Sequence, residues 1–383
     1  IGAHASRVTS ASIAFLLKGA KNLTVDGEGS LLMFDGALTP LVLDGCENVT
    51  IRNLALDFVN PGVSEYRVTA AGSNWVEVEV HPDWAYTIEA GELLWKCRES
   101  ARERGGITQV YIPETDETRR APAPSGVATR IEEVGPRRLR LTVPKPADFP
   151  VGRAYWTRDP VRWHQGLIAL RGRDLRFENM GFHSSFGLMV CAMQTENITF
   201  SNSRFMPRPE SGRTAAGHSD FVHLPNCLGR VVIENCRFTG TNDDMITLYG
   251  CQLRIAKRET PERVSVVYPC PEQMGYNMLE TGDEVQMVNA QTGEVLVRRK
   301  VVGSELVSPE EMRVTLDGPM PEGCEGQLLE NRTRMPELEI RGCRFARSPH
   351  CGVLICSWRP MTVENNEFIR TYRSGVLAAT ASD

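Results

Sequence analysis

Residues 174–182 read DLRFENMGF, and residues 197–205 read NITFSNSRF. Both run as an alternating apolar–polar step, then a polar residue and Asn, then a short second step ending in Phe. Four further stretches share the pattern: 48–58 (NVTIRNLALDF), 230–238 (RVVIENCRF), 338–345 (LEIRGCRF) and 361–368 (MTVENNEF). Alternation over so few residues marks a strand with one buried face. The central Asn or Gly suits a tight corner, because these residues tolerate left-handed backbone angles. Phe182 and Phe205 are 23 residues apart, as are Phe345 and Phe368. A fixed period of that size means stacked coils, and coils of short strands and tight corners make a right-handed parallel β-helix. Leucine-rich repeats lack a match here, and a propeller blade needs about 40 residues or more.

The repeat is interrupted twice. Residues 1–58 carry the first coils, and 158–250 and 335–383 carry the central and C-terminal ones. Residues 59–157 and 251–334 are strand-rich but off the period, so we expect two inserted small β-barrel-like domains in an all-β chain. Asp383 falls within a repeat-like pattern, so the last coil is expected to be followed by more chain or covered by another element. Residue 1 is Ile, so any leader lies outside this sequence.

The 383 residues carry a formal net charge of −5, which argues against a nucleic-acid footprint. With no run of 18 apolar residues, no membrane span is expected. The 11 cysteines include no C-x-x-C pair. Cys227, Cys236, Cys343, Cys351 and Cys356 lie in or beside repeat strands, which favours buried free thiols over a disulfide framework or a zinc site.

Asp220 precedes Asp243 by one period, 23 residues, and Asp244 follows directly. Counting from the terminal Phe of each coil, with about ten extra residues allowed near 207–216, puts Gly187, Asp220, Asp243, His350 and Arg373 in one column. Strict alternation would turn Asp244 into the core, where an unpaired carboxylate is costly. A bulge or corner at Asn242–Asp243 is therefore expected to return it to the surface. Neighbouring carboxylates push one another's pKa values apart, giving an acid beside a base. Glycoside hydrolysis uses that pair, at roughly 6.5–9.5 Å for inversion or 5–5.5 Å for retention, and spacing alone leaves the stereochemistry open. Bound calcium or solvated turn residues would also cluster Asp. Trp163, His164, His183, Arg213, His223, Tyr276, His350 and Arg373 are the candidates for binding sugar, with Trp156, Tyr249, Gln273 and Trp358 as further polar or aromatic groups near coil edges. No cofactor and no metal are called for.

These residues resemble glycoside hydrolase family 110, the exo-α-1,3-galactosidases. The resemblance rests on Ile51-Arg52-Asn53-Leu54, Gly212-Arg213, Asp220 with His223 and Asn226-Cys227, and 233–244 (IENCRFTGTNDD). It continues through 268–277 (YPCPEQMGYN), 281–285 (TGDEV), 339–345 (EIRGCRF) and Gly352-Val353-Leu354, nearly the whole chain. His218, two residues before the first acid, and the apolar 245–249 (MITLY) depart from the pattern. The family implies a β-helix with inserted barrels and inverting, metal-independent hydrolysis, with Asp243 as general acid and Asp220 and Asp244 holding and activating water. The expected partner is a glycan with terminal galactose, linear Galα1-3Gal or blood-group-B-type, which suggests the periplasm or outside of the cell. A homodimer is left open. The competing readings are a polygalacturonase-like hydrolase, a calcium-dependent lyase and a non-catalytic glycan-binding β-helix. The Gly-His-Gly and Arg-Ile-Lys segments of the first are absent.

Overall fold

The computed structural model describes residues 12–96, 102–103, 106–269 and 274–379. Gln273 and most of the charged loop at 98–106 lie outside them. The chain is a parallel β-helix. A typical rung has three short strands, as in Leu167–Leu170, Arg173–Glu178 and Gly181–Phe182, while in the first two rungs the second and third run on as one, Lys21–Phe34 and Glu47–Phe58. The corners between the second and third strands are the expected ones: Asn53, Asn179, Asn202, Asn235, Gly342 and Asn365 all have φ between 50° and 61°. Asn fits because its short polar side chain tolerates this geometry, and the Asn179 amide donates to Asn53 on the rung beside it at 2.9 Å.

The Phe ruler is a physical ladder. Phe182, Phe205, Phe238, Phe345 and Phe368 stack face over face, with centroids 4.7 Å apart for the first two steps and 4.8 Å for the last two. That spacing is the rung repeat itself. Around the ladder the interior is filled by Leu175, Ile198, Val231, Leu338 and their equivalents on other rungs. The nine described free cysteines include eight buried ones, and Cys46, Cys227, Cys236 and Cys343 sit in this core as small apolar groups.

One wall matters most for function. Its eight parallel strands run Ile13–Lys18, Thr39–Asp44, Leu167–Leu170, Val190–Met193, Val222–Pro225, Ile246–Tyr249, Cys351–Cys356 and Ser374–Ala378. Neither insertion breaks it: Thr39–Asp44 pairs directly with Leu167–Leu170, and Ile246–Tyr249 with Cys351–Cys356. The first insertion is a seven-stranded antiparallel sheet with Glu117–Arg120 and Arg130–Gly135 at its edges. The second closes into a six-stranded barrel, from Gln252–Thr260 to Leu328–Asn331. Because both leave the helix between rungs of this wall, they flank the same stretch of it. Phe15 and Leu16, on the wall's first edge strand, are more than half exposed.

Candidate active site

The acids lie where this wall turns. Met189–Val190, Phe221–Val222 and Met245–Ile246 are consecutive residues that all enter the core, so alternation is suspended on three neighbouring rungs. The residues before them, Asp220 and Asp244, are thereby kept out of the apolar interior. The chain bends at Asn242–Asp243 as expected and again at Met245. Asp244 is not returned to the surface, however. It is 6% exposed, and polar contacts replace water: the Cys351 N–H donates to Oδ1 at 2.8 Å, and His350 Nδ1 lies 3.2 Å away.

The expected column is corrected by one residue. Val222 pairs with Ile246, an offset of 24, so Asp220 stands opposite Asp244, and Asp243 opposite Ser219. The cause is a bulge in the preceding rung. Glu196 pairs with Leu228, but Ile198 pairs with Val231, so the extra residue lies near Gly229, whose φ is 63°. The loop before Asp220 thus holds nine of the ten extra residues, and the bulge holds the tenth. Asp243, His350 and Arg373 do share a line, by the registers Ile246 with Val353 and Cys351 with Ser374. Gly187 aligns with Ser219 rather than Asp220. A side chain at Gly187 would meet Gln165 Oε1 at 2.5 Å, so the position is closed by packing.

The three carboxyl groups differ. Burial alone would raise Asp220, but the hydrogen bond and charge of His223, with Arg162 beyond, hold it well below the usual carboxylate range. His223 Nδ1 is 2.7 Å from Asp220, and its Nε2 is 3.0 Å from the Tyr249 hydroxyl. Asp243 is raised, first by burial, then by the charges of Asp220 and Asp244. Its side chain keeps 19% exposure, so it remains open to solvent. His350 is pushed up to about 10, chiefly by its hydrogen bond to Asp244.

Three arginines from the first insertion and its junction were not foreseen. Arg120, Arg158 and Arg162 place Nη2 at 3.9, 3.7 and 3.8 Å from Asp243 Oδ2. Arg120 also donates to the Asn242 carbonyl at 2.8 Å, and buried Gln109 donates to the same oxygen at 2.8 Å. The insertion therefore clasps the acid turn. The density of arginine where the insertion rejoins the coils, 158–163 (RDPVRW), was the available signal.

The other candidates divide. His223 and His350 contact the acids, and Arg373 is exposed one rung beyond His350. Tyr276, from the second insertion, packs on Leu188, Cys191 and Met193 of the same wall, with its hydroxyl buried. Trp163 donates to Asp159 at 2.8 Å beside Arg158 and Arg162, and buried His164 bridges to Phe186. Arg213 and His183 belong elsewhere. Arg213 is fully buried, with Nη2 2.5 Å from Asp57, and it ties down the 207–217 loop. His183 lies 2.8 Å from the Met206 carbonyl, and burial lowers its pKa. Trp156 is buried and donates to Thr214 at 2.7 Å. Trp358 stacks with Arg332 beside the barrel. As for metals, Asp244, His350 and Cys351 each offer one ligand atom, all within 4.8 Å of one another.

A family model described as GLAA-B beta-barrel domain II matches residues 263–327, inside the closed barrel. The chain is 32% identical over 370 residues to alpha-1,3-galactosidase A of Bacteroides thetaiotaomicron, covering 96% of this chain and 65% of that protein. It is 28% identical to alpha-1,3-galactosidase B of the same organism, covering 97% and 61%. A Streptomyces avermitilis alpha-1,3-galactosidase A is 27% identical, covering 93% and 61%. The chain thus spans somewhat under two thirds of the length of these curated relatives.

Proposed function

Because this chain is a relative of the alpha-1,3-galactosidases over nearly all its length, as the family 110 resemblance anticipated, we propose that it is an exo-acting, inverting glycoside hydrolase releasing terminal α-1,3-linked galactose. What carries the reading is the contrast between a partly exposed acid held up, Asp243, and a buried carboxylate held down, Asp220. Paired sites whose environments push carboxyl groups apart divide the acid and base roles.

In this mechanism Asp243 gives its proton to the glycosidic oxygen as the C–O bond breaks. Asp220 and Asp244 hold a water on the opposite face of the ring and accept its proton as the new C–O bond forms, leaving β-galactose. Asp243 becomes a carboxylate in that step. Arg120, Arg158 and Arg162, each within 4 Å, are placed to stabilise the new charge. His223, anchored on Tyr249, aims the Asp220 carboxylate, while the Cys351 N–H and His350 aim Asp244. Linear Galα1-3Gal and B-type branched glycans are the substrates to try, and action in the periplasm or outside the cell is proposed along with them.

Leaving-group chemistry tests the acid assignment. Asp243→Asn should lose about 10²–10⁴-fold on a disaccharide, the usual worth of general acid catalysis, and far less on a dinitrophenyl galactoside, whose leaving group needs no proton. Equal losses on both would remove Asp243 from the acid role.

A further inference from the structure

The turn that holds Asp244 also gathers a nitrogen and a sulfur donor. Asp244 comes from the turn before Ile246–Tyr249, and His350 and Cys351 come from the start of the strand paired with it. The register sets Cys351 opposite Asp244, and the Cys351 N–H donates to Asp244 at 2.8 Å. The three side chains are therefore fixed by adjacent rungs of a sheet. One carboxylate oxygen, one imidazole nitrogen and one thiol sulfur, mutually within 4.8 Å, form a mixed donor set. Zinc takes these donor types at about 2.0–2.3 Å in tetrahedral geometry, which puts neighbouring donors roughly 3.4–3.7 Å apart. Rotamer adjustments of about an ångström would close the set. Softer thiophilic ions prefer the sulfur still more.

We propose that Asp244, His350 and Cys351 form a binding site for a thiophilic divalent cation, zinc or cadmium by its chemistry, and that its occupancy inhibits hydrolysis. The His350 side chain keeps 36% exposure, so an ion can reach the set from solvent. Three protein ligands leave the fourth position to water or to Asp243, whose Oδ1 lies 3.9 Å from His350 Nδ1. Bound there, the ion occupies the carboxylate assigned to the water. The inhibitory part rests on the hydrolase reading; the binding part does not.

Cobalt(II) added to the purified chain tests the binding part directly. The expected result is a thiolate-to-cobalt charge-transfer band with tetrahedral visible bands, both lost in Cys351→Ser. Calorimetric zinc affinity should fall in Cys351→Ser and in His350→Gln by at least about 10-fold, the smaller cost seen when even an outer-shell partner is lost. No cobalt–sulfur band in the parent, or unchanged zinc affinity in the variants, overturns the site. His350→Gln carries the comparison if Cys351→Ser does not fold. Zinc should also slow galactoside hydrolysis by the parent, relative to its metal-free rate, and a chelator should restore it. Tight zinc binding with undiminished turnover overturns the inhibitory part. A chain with no turnover even without metal contradicts the hydrolase reading, while the cobalt spectrum still decides the site.

Discussion

Arg213→Met should cost stability rather than substrate affinity. Arg213 and Asp57 are both fully buried, 2.5 Å apart, and the pair fastens the 207–217 loop to the strand Glu47–Phe58. Removing one partner of a buried pair leaves an uncompensated charge and costs about 3–5 kcal/mol. Two features point to the lower end. Arg208 Nε stays 3.1 Å from the same Asp57 oxygen, and Arg213 Nη1 has no partner among the described residues. Unfolding entropy near Tm is about 2.1 cal/mol/K per residue. For 383 residues that gives about 0.8 kcal/mol/K, so a loss of about 3 kcal/mol lowers Tm by about 4 °C. Scanning calorimetry reads this shift. The double variant Asp57→Asn, Arg213→Met removes the orphaned charge and should recover most of the loss. A Tm lowered by less than about 1 °C, with KM for a galactoside raised about tenfold, would refute the reasoning and return Arg213 to the substrate.

Three further outcomes follow from the same geometry. Phe205→Ala, which removes a ring stacked on both faces, should cost about 3–5 kcal/mol in urea unfolding, with the cavity separating Phe182 from the rest of the ladder. His350, raised from 6.5 to about 10 when folded, contributes stability that is complete below pH 6.5 and fades as pH rises towards 10. The stability advantage of the parent over His350→Gln should therefore shrink across that window, and a constant difference would contradict the contact with Asp244. Raised Asp243 should set the alkaline limb of kcat/KM, above the ordinary carboxylate range, while lowered Asp220 keeps the acid limb below it. The alkaline limb should vanish with a dinitrophenyl galactoside.

The β-helix was legible because its repeat is carried by residues that do identifiable work, Asn at left-handed corners and Phe in a continuous stack. The acid cluster was legible for the same reason, since one period separates its members. The one-residue error came from the Gly229 bulge, which looks like ordinary loop length until the pairing of Ile198 with Val231 is known. Arg213 read as a ligand because it precedes Asp220 in a loop, and the Asp57 that claims it lies 156 residues earlier. Arg120 and Arg158 reach Asp243 from a domain with no periodic relation to the coils. Contacts of that range leave only a local trace, the arginines crowded at the junction. The burial of Asp244 was half foreseen: the bend is present, but hydrogen bonds rather than exposure compensate the carboxylate.

In the proposed mechanism Asp243 protonates the leaving sugar while water attacks from the opposite face. Proton NMR of the first galactose released from Galα1-3Gal or the fucosylated B-type trisaccharide, with the parent and Asp243→Asn side by side, tests it most directly. β-Galactose is expected from the parent and, from the variant, release slowed by at least about 10²-fold. α-Galactose from the parent, or undiminished release by the variant, would contradict it.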